Sequence, residues 1–166
     1  MTQQLISAEL TFQRQPGQQE REILTDAAVD FLTELVTRFT PKRNALLAER
    51  AKTQRKIDAG ELPDFISETT SIKNDDWQIR GIPRDLQNRR VEITGPVERK
   101  MVINALNANV NVFMADFEDS LAPSWDKVIA GQINLRDAVN GTISDSNEAG
   151  KIYQLKPNPA VLICSV

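Results

Sequence analysis

Apolar residues in the first sixty positions recur at spacings of three and four, which is the pattern of one face of an α-helix. The recurring positions are Val29, Leu32, Val36 and Phe39, with Phe31 and Leu35 beside them. Thr25 can cap the start of this helix, and the Thr40-Pro41 pair predicts its end and the first turn of a second helix. Gly60 is the predicted stop of the second helix.

Residues 63–91 contain apolar side chains that follow neither helical nor alternating spacing. We predict a long ordered arm here. An irregular segment of this length is uncommon inside a compact domain, so the arm is expected to wrap around a larger body. Trp77 is expected to be a packing anchor of the arm rather than a platform for stacked bases, since no basic groove pattern accompanies it.

The second half of the chain alternates between strand and helix signals. Residues 91–93 form a short candidate strand, and Pro96 is the predicted first residue of a helix that ends near residues 107–109. Residues 110–117 then form an apolar run of strand length, as expected for a parallel strand covered on both faces.

A second strand–helix repeat follows this apolar run. Ser124 can cap a helix that Asn140 and Gly141 close, and residues 142–155 resemble a small antiparallel excursion. Residues 160–164 begin another buried strand, close to the last residue of the sequence. Because a buried parallel strand needs neighbours and covering helices, we expect that the chain stops inside a core. The fold class predicted from this order is α/β with a parallel sheet.

Composition excludes several classes of protein. The 166 residues are 26% charged and 40% hydrophobic and carry a formal net charge of −3, which fits an ordinary globular protein and gives no general attraction to nucleic acid. We interpret the basic cluster of Lys52, Arg55 and Lys56 as a solvated helix face. No run approaches the roughly 18 apolar residues of a membrane span, so we expect no nucleic-acid or membrane partner and a cytoplasmic location.

The absence of histidine removes the commonest general base and zinc ligand, so a Ser-His-Asp hydrolase within this chain is excluded. Cys164 is the only cysteine, so no disulfide can form within the chain. Since Cys164 has no histidine to activate it, we interpret it as a small buried apolar residue.

Three carboxylates follow the strand at residues 110–117. Asp116, Glu118 and Asp119 lie at its carboxyl end, where parallel α/β folds place their ligand sites. These residues are weak candidates for a cofactor-binding or polar site. The alternative interpretation is that they cap the next helix and pair with arginines.

Longer strings of sequence resemble a known family. The strings are ITGPVERKMVINAL at residues 93–106, FMADFEDS at residues 113–120 and NLRDA at residues 134–138. Together with the helices at residues 25–60, they resemble malate synthase of the bacterial A type, N-terminal portion. The DFEDS piece alone is also similar to a motif of citrate lyase beta-type aldolases, which share the barrel architecture.

This resemblance implies an acyltransferase that condenses acetyl-CoA with glyoxylate and water to give malate and CoA, with Mg²⁺, in the glyoxylate bypass that branches from the tricarboxylic acid cycle. It also implies that residues 1–90 form an N-terminal helical clasp and arm. Residues 91–166 would then be the start of a (β/α)8 (TIM) barrel that is incomplete in this sequence.

No catalytic or metal-binding residue is carried over from the family. The resemblance implies that the catalytic aspartate and both acidic Mg²⁺ ligands lie downstream of residue 166. The arginine that clamps glyoxylate in the family corresponds to Ser165 here. Serine is short and neutral, so it cannot make the bidentate contact that arginine makes with a carboxylate.

Two hypotheses about function follow. The first is that this sequence is a truncated malate synthase that is inactive alone. The second is that it is a non-catalytic helical module for binding or interaction. The first is favoured, because nothing in the physical pattern explains why the final strand should stop where it does.

Overall fold

The computed structural model describes residues 10–165. The chain is a mixture of helices and strands, with a helical N-terminal region and a parallel sheet after it. Its elements are α1 (Gln18–Ile23), α2 (Asp26–Asp58), α3 (Thr70–Asn74), β1 (Glu92–Gly95), α4 (Arg99–Leu106), β2 (Val112–Asp116), α5 (Trp125–Val139), β3 (Ser144–Ser146), β4 (Ile152–Gln154) and β5 (Val161–Ser165). Within the described residues, no helix combines the length and the apolar character needed to cross a membrane.

The described chain divides into two compact units. The first contains residues 10–15 and 24–80, and its main element is α2. The second contains residues 16–23 and 81–165, and it holds the sheet, its helices and α1.

Helix α2 begins at the predicted Thr25 cap and ends just before Gly60, the predicted stop of the second helix. The Thr25 side chain accepts a 3.2 Å hydrogen bond from the backbone N–H of Ala28, as an N-cap does. At the other end, the Gly60 N–H donates to Ile57 O, the Glu61 N–H donates to Lys56 O, and Gly60 has a φ of 94°. This pair of bonds is a Schellman motif, in which glycine adopts the left-handed conformation at no steric cost.

The predicted break at Thr40-Pro41 is wrong, because α2 is one continuous helix with Pro41 in its interior. Proline has no N–H, so one intrahelical hydrogen bond is missing at this position. Long helical flanks on both sides maintain the helix, since each further residue adds a hydrogen bond once the helix has been nucleated.

The arm after α2 is irregular, as predicted, apart from short pieces of helix. These pieces are a 3-10 turn at Ser67–Thr69, α3, and a second 3-10 turn at Arg84–Leu86. Trp77 is not a packing anchor in this structure, because 59% of it is exposed. Its indole N–H donates instead to the Ile72 carbonyl at 2.9 Å, which closes a local loop of the arm.

The sheet of the second unit has the order β1-β2-β5, and both pairings are parallel. The middle strand, β2, is buried at four of its five positions, as the apolar run predicts. The core against it includes Val97, Val102, Ile103 and Phe113, each no more than 1% exposed.

Helix α4 starts three residues after the position predicted from Pro96. Its N-cap is Glu98, and residues 96–98 are not helical. The reason lies at Val97, whose side chain is fully buried and whose carbonyl accepts a 2.9 Å hydrogen bond from the Asn134 side chain. This tertiary contact holds the turn in a non-helical conformation.

Helix α5 has the predicted ends: the Ser124 side chain accepts from the Lys127 N–H, and Gly141 follows the Asn140 cap with a φ of 70°. Gly131 brings α5 close to its neighbours. A Cβ at this position would overlap Val97 Cγ2 and lie 2.7 Å from Phe117 Cε1, which is too close for a side chain without a shift of its neighbours.

Helix α1, which the sequence pattern did not predict, packs on α5. Glu20 accepts a 2.9 Å hydrogen bond from the Trp125 indole, and Glu22 accepts a 2.8 Å bond from Arg136. The predicted antiparallel excursion is confirmed as the hairpin β3–β4.

The predicted strand at residues 160–164 is confirmed as β5, but the prediction that Cys164 is buried is wrong. Strand β5 is an edge strand of the three-stranded sheet and is only partly covered. Partial burial and the nearby charge of Asp116 raise the pKa of the Cys164 thiol, so the unreactive protonated form is favoured.

Candidate functional site

The candidate site lies at the carboxyl end of β2, where Asp116 closes a tight turn. One carboxylate oxygen of Asp116 accepts hydrogen bonds from the N–H groups of Glu118, at 2.9 Å, and Asp119, at 3.1 Å. The other oxygen accepts a 2.8 Å bond from the Ser120 hydroxyl. Asp116 is only 5% exposed, so its carboxylate is the structural centre of this turn.

These hydrogen bonds stabilise the charged form of Asp116. The bond from the Ser120 hydroxyl contributes most, and the bond from the Asp119 N–H adds to it. Together with the Glu118 N–H they outweigh desolvation and hold the pKa of Asp116 below its usual value. Asp116 is therefore ionised at neutral pH and is not available as a proton donor there.

Glu118 and Asp119 are both exposed, unlike Asp116. Neither side chain forms an ion pair with any residue in the range 10–165. Ser124, and not this acidic trio, caps α5. The structure therefore brings the three carboxylates into one turn but gives only Asp116 a structural role.

Ser165 stands beside Asp116 in the sheet. The two residues are Cα partners in the β2–β5 pairing, and the Phe117 N–H donates to the Ser165 carbonyl at 3.2 Å. Partners in register project their side chains to the same face of a sheet. The position at which the resemblance implies a clamping arginine thus lies at the same sheet end as the acidic turn.

The residues at this sheet end do not fit Mg²⁺. Both oxygens of the Asp116 carboxylate already accept hydrogen bonds within the turn. Across residues 10–165, no group of three or more Asp, Glu, Cys or His side chains is arranged to hold a metal ion. A Mg²⁺ ion needs several oxygen ligands in octahedral geometry, which this turn does not supply.

A second polar cluster connects α4, α5 and β3. The Arg99 guanidinium donates to Asp137 at 2.9 Å, to Asn134 at 3.0 Å and to the Ser144 carbonyl at 2.7 Å. Arg136 donates to the second oxygen of Asp137, at 3.1 Å. All the bonds join protein groups, so the cluster fixes the packing of the helices.

Sequence reasoning did not assign this cluster a role, although a signal was present. Gly131, Asn134 and Ala138 share the buried face of α5, where an asparagine is unexpected. A polar side chain on such a face must find a hydrogen-bond partner, and Asn134 finds Val97 and Arg99.

Comparison with known proteins shows which proteins the chain is similar to. A family model described as the malate synthase N-terminal domain matches residues 8–71. Malate synthase A of Escherichia coli is 75% identical over 167 aligned residues, which include all of this chain and 31% of the relative. The chain matches the N-terminal portion of malate synthase. The resemblance inferred from the three sequence strings is therefore confirmed.

Other malate synthases match the same portion. The Myxococcus xanthus enzyme is 55% identical over 85% of this chain and 26% of its own length. A glyoxysomal malate synthase of Zea mays is 46% identical over 88% of this chain and 27% of its own length. The chain thus spans about a quarter to a third of the malate synthases that it matches.

Proposed function

We propose that this chain supplies the N-terminal part of a malate synthase, the enzyme that condenses acetyl-CoA, glyoxylate and water to malate and CoA in the glyoxylate cycle. The observation that carries the proposal is the 75% identity to E. coli malate synthase A along the entire chain. A cytoplasmic location belongs to the same proposal and rests on the single cysteine, which suits a reducing compartment.

The proposed architecture is a helical clasp and arm at residues 1–90, followed by the first part of a TIM barrel at residues 91–166. Two features of the second unit support the barrel. The three strands of its parallel sheet lie side by side in the order in which they occur along the chain, and a helix follows each of the first two. A barrel of this class repeats that strand–helix unit eight times.

In this proposal the chain contributes the framework of the active site and not its reactive groups. The reaction requires a base that deprotonates the methyl group of the thioester and cationic groups that stabilise the developing oxyanion. Asp116 is committed to its own turn, and Ser165 is neutral. Mg²⁺, acetyl-CoA and glyoxylate would therefore be bound mainly by residues outside this chain.

A non-catalytic interaction module is the second candidate, and α2 is the observation that favours it. None of its 33 residues is buried. Phe31, Leu46 and Leu47 are each more than half exposed. An apolar helix surface of this kind is typical of a face that docks on another protein surface.

A chimaera separates the two candidates. Residues 1–166 with Ser165→Arg would replace the matched N-terminal 31% of E. coli malate synthase A. The arginine restores the clamp that the resemblance implies. We expect malate formation from acetyl-CoA and glyoxylate with Mg²⁺, measured by release of free CoA thiol.

The control for the chimaera is the E. coli enzyme without its N-terminal 31%, which should be inactive. A chimaera that folds as judged by circular dichroism but forms no malate would contradict the proposed function. That result would favour the interaction module instead.

A further inference from the structure

We propose that a cleft between α4 and the β3–β4 hairpin binds a small polyphosphate anion. The cleft has a volume of about 350 Å³. Its polar lining includes Asn104, Asn107, Lys151, Gln154 and Lys156, with Tyr153 among them. Nothing in the proposed function uses this cleft.

Lys151 and Lys156 line the cleft, and Lys100 lies beside it against the Tyr153 ring. Lys100 and Lys151 place their ammonium groups 4.7 Å and 5.2 Å from the centroid of the Tyr153 ring, so one aromatic ring gathers two cations. Lys156 adds a third cation at the cleft wall.

No carboxylate compensates the charge of these lysines at close range. In the part of the chain that the structure describes, no carboxylate lies within 4.0 Å of the ammonium group of Lys100, Lys151 or Lys156. By contrast, Lys127 in the same unit pairs with Glu98 at 3.5 Å. The cleft therefore gathers cations whose charge is not compensated by direct pairing.

The backbone around the lysines is fixed without a ligand. The Asn107 side chain donates to the Gln154 carbonyl and accepts from the Lys156 N–H, both at 2.8 Å. Tyr153 is half-buried and packs against the hydrophobic core. An anion that binds here thus incurs little ordering cost in the backbone.

The cleft lies at the amino end of the sheet strands, opposite the acidic turn. The β3–β4 hairpin connects α5 to the start of β5. Just before β5, the Ala160 N–H donates a hydrogen bond to the carbonyl of Leu106, the last residue of α4, so the hairpin and the end of α4 both lie at the amino end of the strands. Asp116 is at the carboxyl end of β2, which is the end where sheets of this kind bind substrates. An anion in the cleft would therefore be an additional ligand and not a reactant.

The arrangement favours a diphosphate group over a nucleoside. Several ammonium groups around one cleft suit an anion with more than one negative charge. The Tyr153 ring already interacts with two lysines and with the core, so it offers little free surface to a base. Inorganic pyrophosphate and ADP should bind with similar affinity, and adenosine should not bind.

The test is calorimetric titration of the full chain with pyrophosphate, ADP and adenosine at low ionic strength. We expect saturable 1:1 binding of pyrophosphate and ADP, and a loss of about tenfold or more in affinity for Lys151→Gln combined with Lys156→Gln. Lys127→Gln is the matched control, since it removes an exposed lysine of the same unit, and it should bind as the unmodified chain does. Circular dichroism checks that each variant keeps its fold.

A second readout uses the chain's own lysines and does not depend on a variant. Acetylation by a limiting reagent, followed by mass spectrometry, should show that pyrophosphate protects Lys100, Lys151 and Lys156 and leaves Lys127 unprotected. Equal protection of all four lysines would overturn the proposal. So would the absence of saturation at roughly 5 mM pyrophosphate.

Discussion

The side-chain amide of Asn134 donates a 2.9 Å hydrogen bond to the carbonyl oxygen of Val97, 37 positions earlier in the chain. Val97 is fully buried, and Asn134 is only 7% exposed. The bond joins α5 to the turn between β1 and α4, and it is the reason that α4 begins at Arg99 and not at Pro96.

The first prediction concerns this bond. Asn134→Ala should lower the free energy of unfolding by about 1–3 kcal/mol, because the buried Val97 carbonyl loses its donor and the Arg99 guanidinium loses an acceptor. Urea denaturation would measure the change. Gln132→Ala removes an exposed side chain of the same helix and should change stability by less than about 0.5 kcal/mol. Equal losses in the two variants would contradict the role given to Asn134.

The second prediction concerns the close approach at Gly131. Gly131→Ala should destabilise the chain by about 1–3 kcal/mol, because the new Cβ would overlap Val97 and Phe117. Gly81→Ala is the matched control, since no atom lies within 4 Å of a Cβ built there. Thermal unfolding would compare the two variants, and a Gly131→Ala protein as stable as Gly81→Ala would show that the packing at α5 is looser than described.

The third prediction concerns the exposed carboxylates of the acidic turn. Glu118→Gln and Asp119→Asn should each change stability by less than about 0.5 kcal/mol, since neither side chain has an ion-pair partner among residues 10–165. If these residues serve the active site, kcat/KM of the chimaera should fall while its stability stays the same. Loss of stability with unchanged activity per folded molecule would assign them a purely structural role.

The fourth prediction concerns Ser165 in the chimaera. The version that keeps Ser165 should be slower than the Ser165→Arg version by roughly 100-fold or more, because each charged hydrogen bond to a carboxylate contributes about 1.5–3 kcal/mol. The difference should appear in kcat/KM for glyoxylate. Equal rates for the two versions would mean that position 165 is not the clamp that the resemblance implies.

The fifth prediction concerns acid stability and Asp137. Burial raises the pKa of this carboxyl, but the hydrogen bonds and charges of Arg99 and Arg136 outweigh burial, so the net pKa lies below the model-compound value of 3.8. A carboxyl whose pKa is lowered by folding contributes stability above its unfolded pKa and loses that contribution as the pH falls through the folded pKa. The contribution should therefore be constant from pH 7 to about 5 and decrease below about pH 4.

Unfolding of the unmodified chain and of Asp137→Asn over this pH range would test the linkage. The stability difference between them should become smaller below about pH 4. A difference that is independent of pH would mean that the charge on Asp137 does not contribute to stability.

Local chemistry in the sequence was sufficient to predict several parts of the fold. The caps at Thr25 and Ser124, the glycine stop at Gly60 and the apolar run of β2 depend on neighbouring residues, and the structure confirms each. The same apolar run predicted that Asp116 lies at the carboxyl end of β2, where the candidate site is found.

Features that depend on distant residues were not predictable in the same way. The late start of α4 depends on Asn134, which is far along the chain. The exposure of Cys164 depends on the position of β5 at the edge of the sheet, and an apolar run alone does not indicate which strand is at an edge. Helix α1 is too short for a periodic pattern, although its Gly17 N–H donates to the Glu20 carboxylate three residues later, as in half of a capping box.

Helix α2 extends about 50 Å at 1.5 Å per residue without a single buried side chain. Its backbone hydrogen bonds are therefore supported mainly by the helix itself, and they can open by local fraying. Amide hydrogens along α2 should exchange with deuterium much earlier than those of the buried strand β2, whose exchange requires the sheet to open. We therefore expect the chain to combine a slowly exchanging sheet with a long helix whose amides exchange rapidly.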